Sequence, residues 1–324
     1  MKRNFKLLLL LATLVSLLVG YVYMRLTFYL HQVEPSILFK SNNAFAQKKL
    51  TLFSECYCQK DLVHIENLNE FYEITVEKPA ENLVNAYRLE KAHFESLFFA
   101  CDLYTVLRRG PFQRVLSYHL DASDLDRNLF SNIYEKLAFG HVHYPNWTLR
   151  FYHLNTMPHA LRCEVHCQKH STQQHFYDNL DICDLSRLPF NLVDKWDASY
   201  MNRETWRLLP IADDFVSVFV SRETSMCMTR EQVAADVEWL KSKTTSQLTL
   251  DERHGNAEIS ASLTGFKNSK NRSLARDIFS ILSDEYLADN WYWSEERVVF
   301  KQFILPALEQ DYSIQLPSNH KCIF

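Results

Sequence analysis

An uncharged, apolar-rich run extends from Leu7 to Met24, built mostly from Leu, Val and Ala. Lys2, Arg3 and Lys6 precede it and Arg25 closes it. A run of roughly 18 such residues is long enough to cross a bilayer as a helix. The shorter apolar core of a cleaved signal would end in a small-x-small site, and Gly20-Tyr21-Val22-Tyr23 is a poor one. The pattern therefore predicts a single-pass signal-anchor over residues 7–24. The basic tail, residues 1–6, stays in the cytosol and the rest is luminal, a type II arrangement.

Beyond the anchor, residues 25–47 read as a membrane-proximal stem. From Lys48 to Lys78 the pattern favours strands, with period-two alternation over Tyr72–Val76. From Ala80 to Leu107 apolar residues fall at helical spacing (Leu83, Ala86, Tyr87, Leu89, Phe94, Leu97, Phe98, Leu103). Residues 48–109 thus form a small α+β segment, closed by Arg108-Arg109-Gly110-Pro111.

Strands and helices then alternate. Strands are predicted at Val115–Leu120, Trp147–His153, Leu180–Leu185 and Phe215–Val220. Helices are predicted over Leu125–Phe139, from Pro158, and over Asn202–Leu209, Ser273–Leu287 and Glu295–Leu308. Thr229, with Gln232 three residues on, opens a further helix through a capping box. Val233, Val237 and Leu240 give that helix one apolar face, and Glu231, Asp236 and Glu238 read as its solvated face. Such alternation implies an α/β domain over residues 110–324, with a mostly parallel central sheet flanked by helices.

Composition adds exclusions. A net charge of -4 gives no sign of nucleic-acid binding, and 5 Gly with 9 Pro exclude collagen-like or low-complexity structure. All 8 Cys follow the anchor, as an oxidising lumen would allow. Cys56-Tyr57-Cys58 is too tight for an easy mutual bridge, so each cysteine is expected to pair elsewhere. Cys163 and Cys167, beside His166 and His170, supply one metal knuckle where structural zinc sites use two, so disulfides or buried thiols are the better reading. Asn146-Trp147-Thr148 and Asn271-Arg272-Ser273 fit the N-glycosylation pattern.

One resemblance emerges from residues in order. It rests on Tyr144–His153, Trp206-Arg207-Leu208-Leu209-Pro210, Val218-Phe219-Val220-Ser221-Arg222-Glu223 and Arg230–Ala235 with Glu238-Trp239-Leu240. From about Gly110 onward the chain resembles a family of GT-A-type glycosyltransferases, many of them Golgi or endoplasmic reticulum membrane proteins. The resemblance implies transfer of a sugar from a nucleotide sugar to a glycan or glycoprotein acceptor. It also implies an Asp-x-Asp pair at a strand end that holds Mn²⁺ or Mg²⁺ against the diphosphate. Carried over residue by residue, it makes Glu223 the metal-binding candidate and Arg207, Arg222 and Arg253 candidates for the nucleotide sugar. Asp251 and Glu296 are the catalytic candidates, and Asn146 and Asn271 the glycan acceptors.

The chain departs from that pattern where chemistry would sit. The acidic pair reads Glu223-Thr224-Ser225, so one carboxylate is missing, while scaffold residues such as Trp206, Pro210 and Trp239 persist. Two functions follow: a sugar transferase with altered or impaired chemistry, or an inactive relative that binds a glycan, nucleotide or protein. Cationic side chains at Arg207, Arg222 and Arg253 would have to serve in place of a metal in the first.

Overall fold

The order of strands in the larger sheet fixes where a ligand can bind. A computed structural model describes residues 49–94, 97–120, 129–154, 157–167, 178–187, 201–224, 228–251, 260–284 and 300–315. The larger sheet is formed by β5 (Gln113–His119), β6 (Thr148–His153), β7 (Leu180–Asp184), β8 (Val216–Ser221), β9 (Ser246–Asp251), β10 (Ser260–Phe266) and β11 (Tyr312–Gln315). Their order is β11-β9-β10-β8-β5-β6-β7. β8, β5, β6 and β7 are parallel neighbours; β10 runs against β8 and β9, and β11 is parallel to β9. From β5 the chain steps outward to β6 and β7, then returns to the other flank of β5 with β8. The order of succession reverses there, which opens a crevice at the carboxyl ends of β5 and β8.

Helices cover the sheet. One face carries Leu116, Tyr118, Leu149, Phe151, Leu180, Ile182, Val218 and Val220, packed with Ile133 and Leu137 of helix Leu129–His143 and Trp239 of helix Arg230–Lys241. Leu149 lies so close to Gly140 that a Cβ there would meet it at 2.6 Å. The other face carries the 3₁₀ helix Arg203–Ile211, whose Trp206, Leu208 and Leu209 are buried. Helix Arg272–Leu282 is capped by the Asn271 side chain, which accepts from the Leu274 N–H at 3.0 Å. The capping box of Thr229 and Gln232 forms as the sequence predicts. The mixed α/β architecture with its mostly parallel sheet is thus observed.

A second sheet is four-stranded and antiparallel: β1 (Lys49–Phe53), β2 (Leu62–Asn67), β3 (Phe71–Lys78) and β4 (Leu83–Glu90). β4 corrects the helical reading of residues 80–107. Its apolar spacing fits either element, and pairing with β3 along Phe71↔Glu90 to Lys78↔Leu83 decides for the strand. The spacing was no guide to burial either, since Val84 is 63% exposed. Helix returns only as one turn at Lys91–Phe94 and at Leu103–Arg109, the latter capped by Asp102. The helix expected over Glu295–Leu308 is, from Phe300 onward, a π turn at Phe300–Ile304 followed by a short helix at Leu305–Ala307.

The two sheets share one compact unit, Lys48–Phe324. A run of ring contacts from Tyr72 through Phe94 and Phe99 to Phe215 joins them, with centroids 5.0, 5.9 and 5.1 Å apart. Among the described residues three disulfides add covalent ties: Cys56–Cys163, Cys58–Cys167 and Cys101–Cys183. The two cysteines of Cys56-Tyr57-Cys58 therefore do reach elsewhere, onto successive turns of helix His159–Cys167. The bonds mark an oxidising compartment, luminal or extracellular. No helix among the described residues is long and apolar enough to cross a membrane, and the expected anchor at 7–24 lies outside them.

Between the two bridges to this helix, His166 Nδ1 accepts a 3.4 Å hydrogen bond from the Gln59 side-chain amide. Burial pushes its imidazole down from 6.5 to about 4. Between those values the unfolded chain binds a proton that the folded chain does not, so stability falls as pH drops through that window. The loss should be on the order of 1–3 kcal/mol. Unfolding by denaturant at pH 7 and pH 4.5 checks it: His166→Gln should flatten this part of the pH dependence, and an unchanged slope rejects the assignment.

Candidate functional site

The site begins at the last residues of β8. Ser221 sits opposite Ser117 of β5, and the Arg222 N–H continues the ladder to the Ser117 carbonyl at 2.9 Å. The Ser221 hydroxyl donates to the Leu263 carbonyl at 2.9 Å, and the Thr224 hydroxyl to the His119 carbonyl. The ends of β5 and β8 are thereby tied to each other and β8 to the middle of β10, and the successive residues Arg222 and Glu223 meet different partners.

Arg222 turns toward the helix-covered face and is buried there. Its Nη2 donates to Asp236 Oδ2 at 2.6 Å, and the Tyr144 hydroxyl donates to the same oxygen at 2.5 Å. Burial opposes the Arg222 charge, but Asp236 and Tyr144 outweigh it and hold the guanidinium protonated above its ordinary range. The Tyr144 hydroxyl is driven up by burial and then by Asp236. This corrects the reading of Asp236 as part of a solvated helix face: it is fully buried, while Glu231 and Glu238 are exposed. Val237, assigned to the apolar face, is instead 40% exposed. The helix is rotated so that Gln232, Val233, Asp236 and Trp239 face inward, because the buried guanidinium needs a counter-charge.

Trp239 on the same helix packs against Gly265. A Cβ on Gly265 would meet the indole at 2.8 Å. The Lys267 ammonium stands 5.1 Å from that ring and donates to the Trp239 and Ser242 carbonyls, both at 2.8 Å, closing the helix C-terminus.

Glu223 turns to the crevice. Its Oε1 stands 3.6 Å from Nη1 of Arg207, which the 3₁₀ helix delivers from beneath. The Arg207 side chain is 5% exposed and that of Glu223 37%. His119, at the end of β5, is the strand neighbour at this level, and Tyr152 pairs with it in register. The structure thus brings together Arg207 and Glu223, while it commits Arg222 to Asp236. Asp251 ends β9, whose direction matches that of β8, so its backbone lies at the same carboxyl edge of the sheet. Ser225, Arg253, His254 and Glu296 lie outside the described residues.

Among the described residues no three His, Cys, Asp or Glu side chains converge. The carboxylate retained at the strand end already faces a buried guanidinium, which a divalent cation would have to displace against like charge.

The two asparagines of the N-glycosylation pattern differ in setting. Asn146 is exposed in a left-handed turn (φ 66°), while Asn271 is half-buried and caps a helix. Glycosylation should therefore be fuller at Asn146, as site mapping by mass spectrometry after enzymatic deglycosylation would show; higher occupancy at Asn271 contradicts this. Asp236→Ala should cost about 3–5 kcal/mol in chemical denaturation by stranding the Arg222 charge. Joint replacement by apolar residues, Arg222→Met with Asp236→Leu, should recover much of the loss.

Comparison of the chain with protein-family models, with curated proteins and with solved structures finds no match.

Proposed function

We propose that this chain is a glycosyltransferase-like protein of the Golgi or endoplasmic reticulum membrane, with a nucleotide-sugar site at the carboxyl ends of β5 and β8. The supporting observation is positional. β7-β6-β5-β8 have the order 3-2-1-4 of nucleotide-binding doubly wound sheets, and Arg207 and Glu223 meet at their switch point. A guanidinium there offers the planar fork that a diphosphate accepts. The disulfides suit a luminal address, and the resemblance at Trp206–Pro210 and Val218–Glu223 supplies the reaction class. The acceptor is a glycan or glycoprotein, and the donor a nucleoside diphosphate sugar.

The second reading, an inactive relative that keeps the fold and binds nucleotide, glycan or protein, is favoured by a specific feature. Both charged side chains that follow Ser221 are matched internally, Arg222 by Asp236 and Glu223 by Arg207. Sugar transfer needs groups free to act on the leaving diphosphate and the attacking hydroxyl.

A panel of UDP- and GDP-sugars separates the two. With the full-length chain, a nucleotide sugar should raise the unfolding temperature, and transfer or slow hydrolysis should accompany it if the first reading holds. Stabilisation without turnover selects the second. Silence of both readouts across the panel rejects the nucleotide-sugar site.

A further inference from the structure

We propose that the outer edge of β4 is an interface at which two copies of this chain join their smaller sheets into one, strand against antiparallel strand, about a two-fold axis at Ala86.

The hydrogen-bond phase of the ladder leaves that edge open. The Lys91 N–H donates to the Glu70 carbonyl at 2.9 Å, which extends the β3–β4 pairing by one residue pair. Bonded and non-bonded pairs alternate along an antiparallel ladder. Leu83, Asn85, Tyr87 and Leu89 therefore bond to β3, and Val84, Ala86, Arg88 and Glu90 aim their N–H and C=O groups away from it. β4 ends its sheet, and no other described strand pairs with it. Residues 83–86 are exposed, Val84 at 63% and Leu83 at 40%.

The devices that keep sheet edges apart are missing here. β4 holds no Pro and no Lys, and its register with β3 is unbroken from Phe71↔Glu90 to Lys78↔Leu83. The other edges differ: β1 and β11 are shorter, β1 opens on Lys49, and β7 is wholly buried.

An open edge can take any extended chain, and the side chains of β4 favour a second β4. A two-fold axis normal to the sheet sets residues of the same face opposite each other, so it passes through one residue position. At Ala86 only methyl groups meet on the axis. Leu83 then lies opposite Leu89 of the second copy, and Val84 opposite its Arg88. Arg88 has its counter-charge in Glu73 at 2.9 Å, so its methylene stem can cover Val84. An axis at Tyr87 or Arg88 would instead bring the two Arg88 guanidinium groups together.

Sedimentation velocity of the full-length chain in detergent, over a concentration series, should show a monomer–dimer equilibrium. Ala86→Pro removes an N–H that β3 does not use, and both hydrogen bonds of the central pair go with it. It should raise the dimer dissociation constant at least about tenfold. Val84→Lys, a charge on the edge, should weaken the dimer likewise, while Phe53→Lys on the opposite edge strand should leave it unchanged. Unfolding curves establish that each variant is folded, and Val84→Lys carries the test alone if Ala86→Pro is not. A monomer at every concentration overturns the proposal and leaves the edge to an extended segment of another protein. A dimer that the edge substitutions leave intact also overturns it, and places the contact elsewhere, the expected anchor included.

Discussion

Arg150, wholly buried in the middle of β6, sets the terms for the rest of the domain. Its guanidinium reaches Asp213 at 2.7 Å, Gln113 at 2.6 Å and Asp181 at 3.5 Å. Each partner is tied elsewhere. Asp213 accepts from the Ala100 and Phe215 N–H groups at 3.2 and 3.0 Å. Gln113 donates to the Val106 and Gly110 carbonyls at 3.2 and 2.8 Å. Asp181 receives Arg109 at 2.9 Å, and although burial pushes its carboxyl up, Arg109 and Arg150 hold it below the usual range. Burying four charges in this way is tolerable only because two cations meet two anions and the backbone takes much of the remaining capacity. The network fixes how β5, β6, β7 and the entry to β8 sit, and so where the crevice opens.

The second buried pair, Arg222 with Asp236, does similar work at the other end of the strands. It pins the capped helix to the sheet and consumes the cation nearest the crevice. On the other side of the strand end the buried Arg207 meets the half-exposed Glu223. Three arginines therefore divide the work: Arg150 holds the sheet, Arg222 holds a helix, and Arg207 meets Glu223 at the strand ends. The disulfides complete the frame by fastening the smaller sheet onto helix His159–Cys167 and, through Cys101–Cys183, onto β7.

Much of this was readable in advance where the signal is local. The apolar run Phe215–Val220 could only be a buried strand, and Thr229 with Gln232 could hardly be other than a helix start. The tight spacing in Cys56-Tyr57-Cys58 excluded a mutual bridge. Residues 80–107 were misread because an apolar spacing near three to four fits a helix, while an exposed edge strand carries no clear alternation of its own. Asp236 was misread because a carboxylate among Glu231 and Glu238 looks solvated until the opposing Arg222 is known. Arg207 was identified through the resemblance, but nothing in the linear chain paired it with Glu223.

The sequence by itself determined the buried strand at Phe215–Val220, the capping box at Thr229 and the mostly parallel α/β class. These depend on backbone conformation and on neighbours within a few residues. Only the tertiary structure decided which cysteines join, that Arg207 meets Glu223 while Arg222 meets Asp236, and that β4 is a strand. Those outcomes depend on partners far apart in the chain, where the desolvation of a charge or of an unpaired strand can be offset only by a group that folding brings to it.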